Sequence, residues 1–160
     1  MTTTLLVRHG QSRANVDGIL AGHLDSRLTD EGVEQVRRMA SVLAPVPLRR
    51  VVTSPLTRCV ATAEALGSGR AEGQAPVTED RLTEVRYGAW TGRSLKELVK
   101  EDLWRTIQSA PSTVTFPSSG EHAHESMAAT AERAWEAWSY WDSLVQAEHG
   151  EHAVWALVSH

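Results

Sequence analysis

The sequence predicts an α/β fold, with a mostly parallel sheet flanked by helices on both faces. Three observations carry that expectation. Short apolar, β-branched runs recur at Thr3–Val7, Arg50–Thr53 and Ala153–Ser159, with the length and composition of buried strands. Patterns of helical period separate them. Strands and helices that alternate in this way bury their apolar faces by layering helices on a parallel sheet.

Local signals justify each element in turn. Thr3–Val7 reads as a short buried strand, and Gly10, Asn15, Gly18 and Gly22 mark a long loop behind it. Thr29 is an N-cap residue type, and Asp30 and Glu31 suit the first turn of a helix. Val33, Val36, Ala40 and Leu43 share the apolar face of that helix, which Pro45 and Pro47 end. After the Arg50–Thr53 strand, Ser54-Pro55 supplies an N-cap with proline at the first helical position. Its helix turns Leu56, Val60 and Ala63 inward and stops near Gly67. Small polar residues from Gly67 to Pro76 read as a loop, and Val77 as part of a short edge strand. Residues 81–93 read as irregular, with Gly88 and Gly92 flanking Trp90. Ser94 caps a helix through Leu95, Leu98 and Val99 that runs on to Trp104 and Ile107. Pro111–Gly120 is loop. A long helix from Ser126 to Gln146 then sets Met127, Ala131, Ala134, Trp138, Trp141 and Val145 on one stripe.

Composition narrows the function. The 160 residues suit one domain, 1–160, which buries roughly two-thirds of its unfolded surface. Lys plus Arg number 16 against 20 Asp plus Glu, a net charge of −4. That balance argues against a nucleic-acid partner, so any bound anion must be drawn by a local cationic cluster. No apolar stretch reaches spanning length, and MTTTLLVRHG lacks a basic leader with a long apolar run. A cytoplasmic protein without a membrane partner is expected. Cys59 is the one cysteine, which excludes an intramolecular disulfide framework and a multi-cysteine zinc site.

The chemistry gathers at strand ends, where parallel sheets bind ligands. The first strand ends in Arg8-His9-Gly10, and the last in Ser159-His160. The second runs into Thr53-Ser54-Pro55, with Arg58 about one turn into the following helix. If these strands are neighbours, two guanidiniums, two imidazoles and a helix N-terminus share one crevice. Guanidinium forks bind phosphate bidentately, and helix N-termini offer free N–H donors. Gly10 would let the backbone approach a ligand closely. Each piece alone is weak, since a strand-end histidine is more often structural. Together they describe a phosphate pocket holding a candidate nucleophile.

Four segments, in order, resemble the histidine phosphatase superfamily, also called phosphoglycerate mutase-like. They are Leu6-Val7-Arg8-His9-Gly10-Gln11-Ser12 with Asn15, Ser54-Pro55-Leu56-Thr57-Arg58-Cys59, Leu82 to Gly92 around Glu84, and Val158-Ser159-His160. The chain is also similar to the small probable phosphomutase branch of high-GC bacteria, in Leu103-Trp104-Arg105 and Phe116-Pro117 and in having only Lys96 and Lys100 among its 16 basic residues. The resemblance implies a three-layer sandwich and a phosphohistidine formed on His9. It implies that Arg8, Arg58 and His160 surround the phosphoryl oxygens, that Asn15 adds a donor, and that Glu84 serves as general acid and base. It also implies that Gly10, Ser12 and Trp90 contact substrate, and that no metal or other cofactor is needed. Members of the family ordinarily continue past the second histidine with a further helix and often a strand. The resemblance therefore implies a C-terminal portion missing after His160, a carboxylate near the phosphate site and a partly uncovered sheet.

Other segments have plainer readings. Glu121-His122-Ala123-His124-Glu125 invites a metal, but His at i and i+2 share a face only on a strand, and a solvated loop is favoured. His149 and His152 read as turn residues, and His23 as exposed. The Trp135, Trp138 and Trp141 set reads as core, and Cys59 as a core thiol. Gly67-Ser68-Gly69-Arg70 lacks the Lys-Ser/Thr of a phosphate loop. Trp90, Trp104 and Phe116 could line an entrance for aromatic esters. The leading function is phosphomonoester hydrolysis on a small phosphorylated substrate, by a monomer or homodimer. A phosphomutase using the same phosphohistidine is the first alternative, and a non-catalytic phosphate-binding module the second.

Overall fold

A computed structural model describes residues 1–67 and 75–160. The elements in order are β1 (Thr3–Arg8), α1 (Arg13–Asp17), α2 (Asp30–Leu43), β2 (Leu48–Thr53), α3 (Thr57–Gly67), β3 (Val77–Thr78), α4 (Leu95–Leu98), α5 (Asp102–Ser109), α6 (Met127–His149) and β4 (Val154–Ser159). Short 3-10 turns occupy Asp80–Leu82, Gly88–Trp90 and Pro111–Thr113. The strands form one parallel sheet in the order β1-β4-β2-β3. The last strand therefore lies between the first two, with Val7 and Thr53 both opposite Val158 and Arg8 opposite Ser159.

The period-two alternation of the strands sorts the core into two layers. Val7, Val51, Ala156 and Val158 face α2 and α3, against Cys59, Ala63 and Leu66. Val52, Trp155 and Leu157 face the other way, against Ala137, Trp141 and Val145 of α6. Each such side chain removed fully from water contributes about 1.5–3 kcal/mol. A third cluster of Val85, Trp90, Leu98, Val114 and Phe116 lies beneath the 81–116 segment. The fold is the α/β sandwich that the sequence predicts.

Several local expectations need correction. The region after β1 is not all loop, because Ser12 and Asn15 form a reciprocal capping box that starts α1. Ser54 does not cap α3. Its N–H still bonds Val158 of the sheet, so the helix begins only at Thr57. The helix after Ser94 breaks into α4 and α5, and the break lets Leu98, Leu103, Trp104 and Ile107 meet one cluster. Val33 is 45% exposed, and the buried face of α2 turns on Gly32 and Val36. On α6, Ala131 is exposed and Ala137 takes the buried position, while Trp135 is 66% exposed. Strand β1 is an edge, so Leu6 is 76% exposed rather than buried. Leu6 lines an open apolar groove with Leu82, Leu157, Trp135 and Trp138. Residues 68–74 of the expected Gly67–Pro76 loop, and with them most of Gly67-Ser68-Gly69-Arg70, lie outside the described residues.

Helix α2 is docked on the loop after β1 by a glycine pair. A Cβ on Gly10 would sit 2.6 Å from the Gly32 carbonyl oxygen, and one on Gly32 would sit 2.0 Å from that of Gln11. Gly32→Ala should therefore destabilise by about 1–3 kcal/mol, even though alanine is favoured over glycine by about 1 kcal/mol in a helix. Gly120→Ala, whose Cβ would meet nothing within 4 Å, should leave the urea midpoint unchanged.

Candidate active site

The sheet order places three strand ends side by side. His9 follows β1, and its N–H bonds the Ser159 carbonyl at 3.0 Å. His160 follows β4 in the centre. Its ring lies edge-on to that of His9, with centroids 5.2 Å apart. Ser54 follows β2, and its Oγ shares a hydrogen bond with His160 Nε2 at 3.0 Å. Arg58, in the first turn of α3, is 3% exposed. Its guanidinium donates to the Gly22 carbonyl at 2.9 Å, which sets the first loop over the site. Arg8 stands exposed at the end of β1. Glu84 approaches from the irregular segment, with Oε2 3.8 Å from His160 Nδ1. Its other carboxylate oxygen accepts the Val85 N–H at 2.9 Å.

The electrostatics keep both imidazoles neutral. His9 Nδ1 faces the Gly10 carbonyl oxygen at 2.7 Å. A carbonyl only accepts, so Nδ1 carries the proton and Nε2 keeps a free lone pair. Burial, then the Arg58 and Arg8 charges, lower the His9 pKa, although the Gly10 hydrogen bond opposes them. His160 is driven down to about 2, chiefly by burial and then by Arg58. The Glu84 contact does not outweigh that desolvation. Cys59 touches the His160 ring at 3.5 Å, and burial pushes its thiol up to about 12, as expected of a core thiol.

Other predicted contacts fall elsewhere. Gly10 is a glycine for α2, not for a ligand: its N–H is spent on Thr62 Oγ1 at 3.2 Å. Ser12 is 1% exposed and serves the α1 cap, together with the Asn15 amide oxygen. Asn15 is exposed on α1. Trp90 is 1% exposed and donates its indole N–H to Glu101 at 2.8 Å, so it reaches no opening. Phe116 is buried with it, and Trp104 stacks on Trp90.

A sequence model of the histidine phosphatase superfamily (branch 1) matches residues 4–160. The chain belongs to that superfamily. Over 97 residues it is 37% identical to the adenosylcobalamin/alpha-ribazole phosphatase of Salmonella typhimurium, covering 61% of this chain and 47% of that protein. Over 131 residues it is 32% identical to the 2,3-bisphosphoglycerate-dependent phosphoglycerate mutase of Caulobacter vibrioides, covering 76% and 55% respectively. Bacillus stearothermophilus YhfR superposes with a TM-score of 0.80 at 29% identity, over 100% of this chain and 74% of that one. The chain thus spans about half the length of the curated relatives it matches.

This histidine phosphatase chain also gathers residues that sequence reasoning passed over. Tyr87 is one: burial, then the Glu84 carboxylate that its hydroxyl bonds, raise its pKa. His23 is exposed, yet its Nε2 donates to the Glu84 carbonyl at 2.7 Å. His23, Leu24, Arg86, Thr91, Glu121, His122 and Ala123 line a recess of about 160 Å³. Glu125 is not a solvated loop residue, since its carboxylate is 7% exposed and paired with Arg133. The Ser-x-x-Asn spacing of α1 had a readable local signal, whereas the His23 partner of Glu84 lies 61 residues away in sequence. Among the described residues, no helix is long and apolar enough to cross a membrane, and no three His, Cys, Asp or Glu residues gather around a metal position.

The lowered histidine pKa values make stability depend on pH. The unfolded chain takes up these protons near pH 6.5, whereas the folded chain resists them, so stability present above pH 6.5 is lost on acidification. His160, lowered to about 2, costs about 1.4 kcal/mol per pH unit below its unfolded value over this range. Urea titrations between pH 6.5 and 5 should show this slope, and His160→Gln should remove about one proton's share of it.

Proposed function

We propose that this chain catalyses phosphomonoester hydrolysis through a phosphohistidine on His9. The observation that carries the reading is the His9 ring itself, with Nδ1 held by the Gly10 carbonyl at 2.7 Å and a lowered pKa beside Arg58 and Arg8. Those conditions leave Nε2 unprotonated and nucleophilic at neutral pH. In the first step Nε2 bonds to phosphorus as the ester P–O bond breaks, and Glu84 gives its proton to the departing oxygen. In the second, Glu84 takes a proton from water, the water oxygen bonds to phosphorus, and the N–P bond breaks to release phosphate. The Arg8 and Arg58 guanidiniums stabilise the oxygens of the transferring group. His160, held neutral, adds a hydrogen bond rather than a charge. The guanidiniums supply the positive charge of the site, so the reading needs no metal or other cofactor.

The substrate class is read from the recess that His23 ties to the Glu84 carbonyl. Its His23, Arg86, Glu121 and His122 side chains suit a hydroxylated alcohol portion. Trp90 and Phe116, buried at 1% and 3% exposure, cannot offer an aromatic ring to a substrate. The mutase named among the relatives supports a second reading, in which the phosphohistidine passes its group to another hydroxyl.

His9→Ala should abolish turnover of phosphomonoesters and acid-labile labelling by phosphorylated substrate, with an unchanged circular dichroism spectrum. Glu84→Gln should lower kcat/KM, which reads the first step, by about 10²–10⁴-fold on glycerol phosphate and far less on p-nitrophenyl phosphate, because nitrophenolate departs without a proton. Equal losses would remove the acid role. A sugar phosphate should show a lower KM than phenyl phosphate, and the reverse order would overturn the recess as its seat. Formation of 2-phosphoglycerate from 3-phosphoglycerate with a bisphosphorylated primer, in place of free phosphate, would favour the mutase.

A further inference from the structure

The candidate acid Glu84 lies on a stretch with no regular secondary structure, between the 3-10 turns at Asp80–Leu82 and Gly88–Trp90. Such backbone has no ladder of its own, and something else must fix its geometry. The fixing groups come from α6 and the loop before it. Arg133 spends all five guanidinium N–H donors here. Nη1 donates to the carbonyls of Arg81 at 2.7 Å and Thr83 at 2.8 Å. Nη2 donates to the Glu84 carbonyl at 3.1 Å and to Glu125 Oε1 at 2.6 Å. Nε donates to Glu125 Oε2 at 3.1 Å. Glu125 completes the frame, for its Oε1 accepts the Arg86 N–H at 2.9 Å and its own N–H donates to the Arg86 carbonyl at 3.0 Å.

We propose that Arg133 and Glu125 are positioning residues for proton transfer, a buried clamp that sets where the Glu84 carboxyl stands relative to His160 and His9. The inference rests on the acid role proposed for Glu84. The two side chains are 14% and 7% exposed, so water cannot substitute for them readily. Only a planar guanidinium presents five donors in a fixed fork. An ammonium has three donors and no fork, so lysine cannot hold three carbonyls and a bidentate carboxylate at once. Three of the five donors end on backbone carbonyls of the Glu84 segment, so the clamp acts through backbone placement. A displacement of about 1 Å is enough to cost about 10²-fold in a reaction that depends on alignment.

The test compares two esters in three variants of the full chain. Arg133→Lys and Glu125→Gln should each lower kcat/KM on glycerol phosphate, which reads the first step, by about 10-fold or more, a part of the general-acid contribution. On p-nitrophenyl phosphate, whose leaving group needs no proton, kcat/KM should fall less than about 3-fold, since the acid contribution is absent from its first step. Glu84→Gln, as the reference, should show the same selectivity more strongly. Equal losses on both esters in the clamp variants, with Glu84→Gln still selective, would reduce Arg133 and Glu125 to structural residues and overturn the clamp. An unselective Glu84→Gln would instead overturn the acid role, and the clamp with it. Melting curves accompany each variant; should Arg133→Lys fail to fold, Glu125→Gln, which keeps one acceptor oxygen, decides the matter.

Discussion

The insertion of β4 between β1 and β2 is the constraint on which the site depends. Because parallel pairing sets Val7 and Thr53 both opposite Val158, the residues that follow the three strands must emerge together at one edge. His9, His160 and Ser54 are neighbours for that reason, although more than a hundred residues separate the first two. The same register delivers the start of α3, and with it Arg58, to the crevice beyond the strand ends. A slip of one residue in either ladder would send these side chains to opposite faces of the sheet.

Within that crevice, burial and charge act in the same direction on the imidazoles. Desolvation disfavours their protonated forms, and the Arg58 guanidinium does so again. The buried arginine thus places a positive charge in the crevice and suppresses protonation of both rings. It is itself fixed by the Gly22 carbonyl, at a glycine whose φ of +54° a side chain would strain. The loop over the site and the cation within it hold each other in place.

The opposite wall is built differently. The stretch bearing Glu84 is irregular, and its carbonyls are satisfied by Arg133, by His23 and by the backbone at Glu125. Ser159 adds a further tie, donating its hydroxyl to the Leu82 carbonyl at 2.9 Å. The strand that leads to His160 and the segment that carries Glu84 are thereby joined one residue before His160 and two before Glu84. The buried Trp90, Phe116 and Leu98 beneath that segment give it a floor rather than a substrate surface.

The sequence by itself determined the class of the fold, the order of its main elements and the His9, Arg58, Glu84 and His160 positions. Strand composition, caps and prolines are local signals, and the motif residues lie in short contiguous runs. Where local signals competed with packing, the sequence misled. Ser54 has the chemistry of an N-cap but stays in the sheet ladder, Trp90 sits in the motif but in the core, and Leu6 looks buried but lies on an edge strand. Gly10 serves the approach of α2, which no run of residues around it announces. Tertiary structure alone decided the clamp of Arg133 on Glu84, the link between Ser54 and His160, and the neutral state of both histidines. These depend on desolvation and on donors about fifty or more residues distant in the chain, and neither quantity exists until the layers have closed.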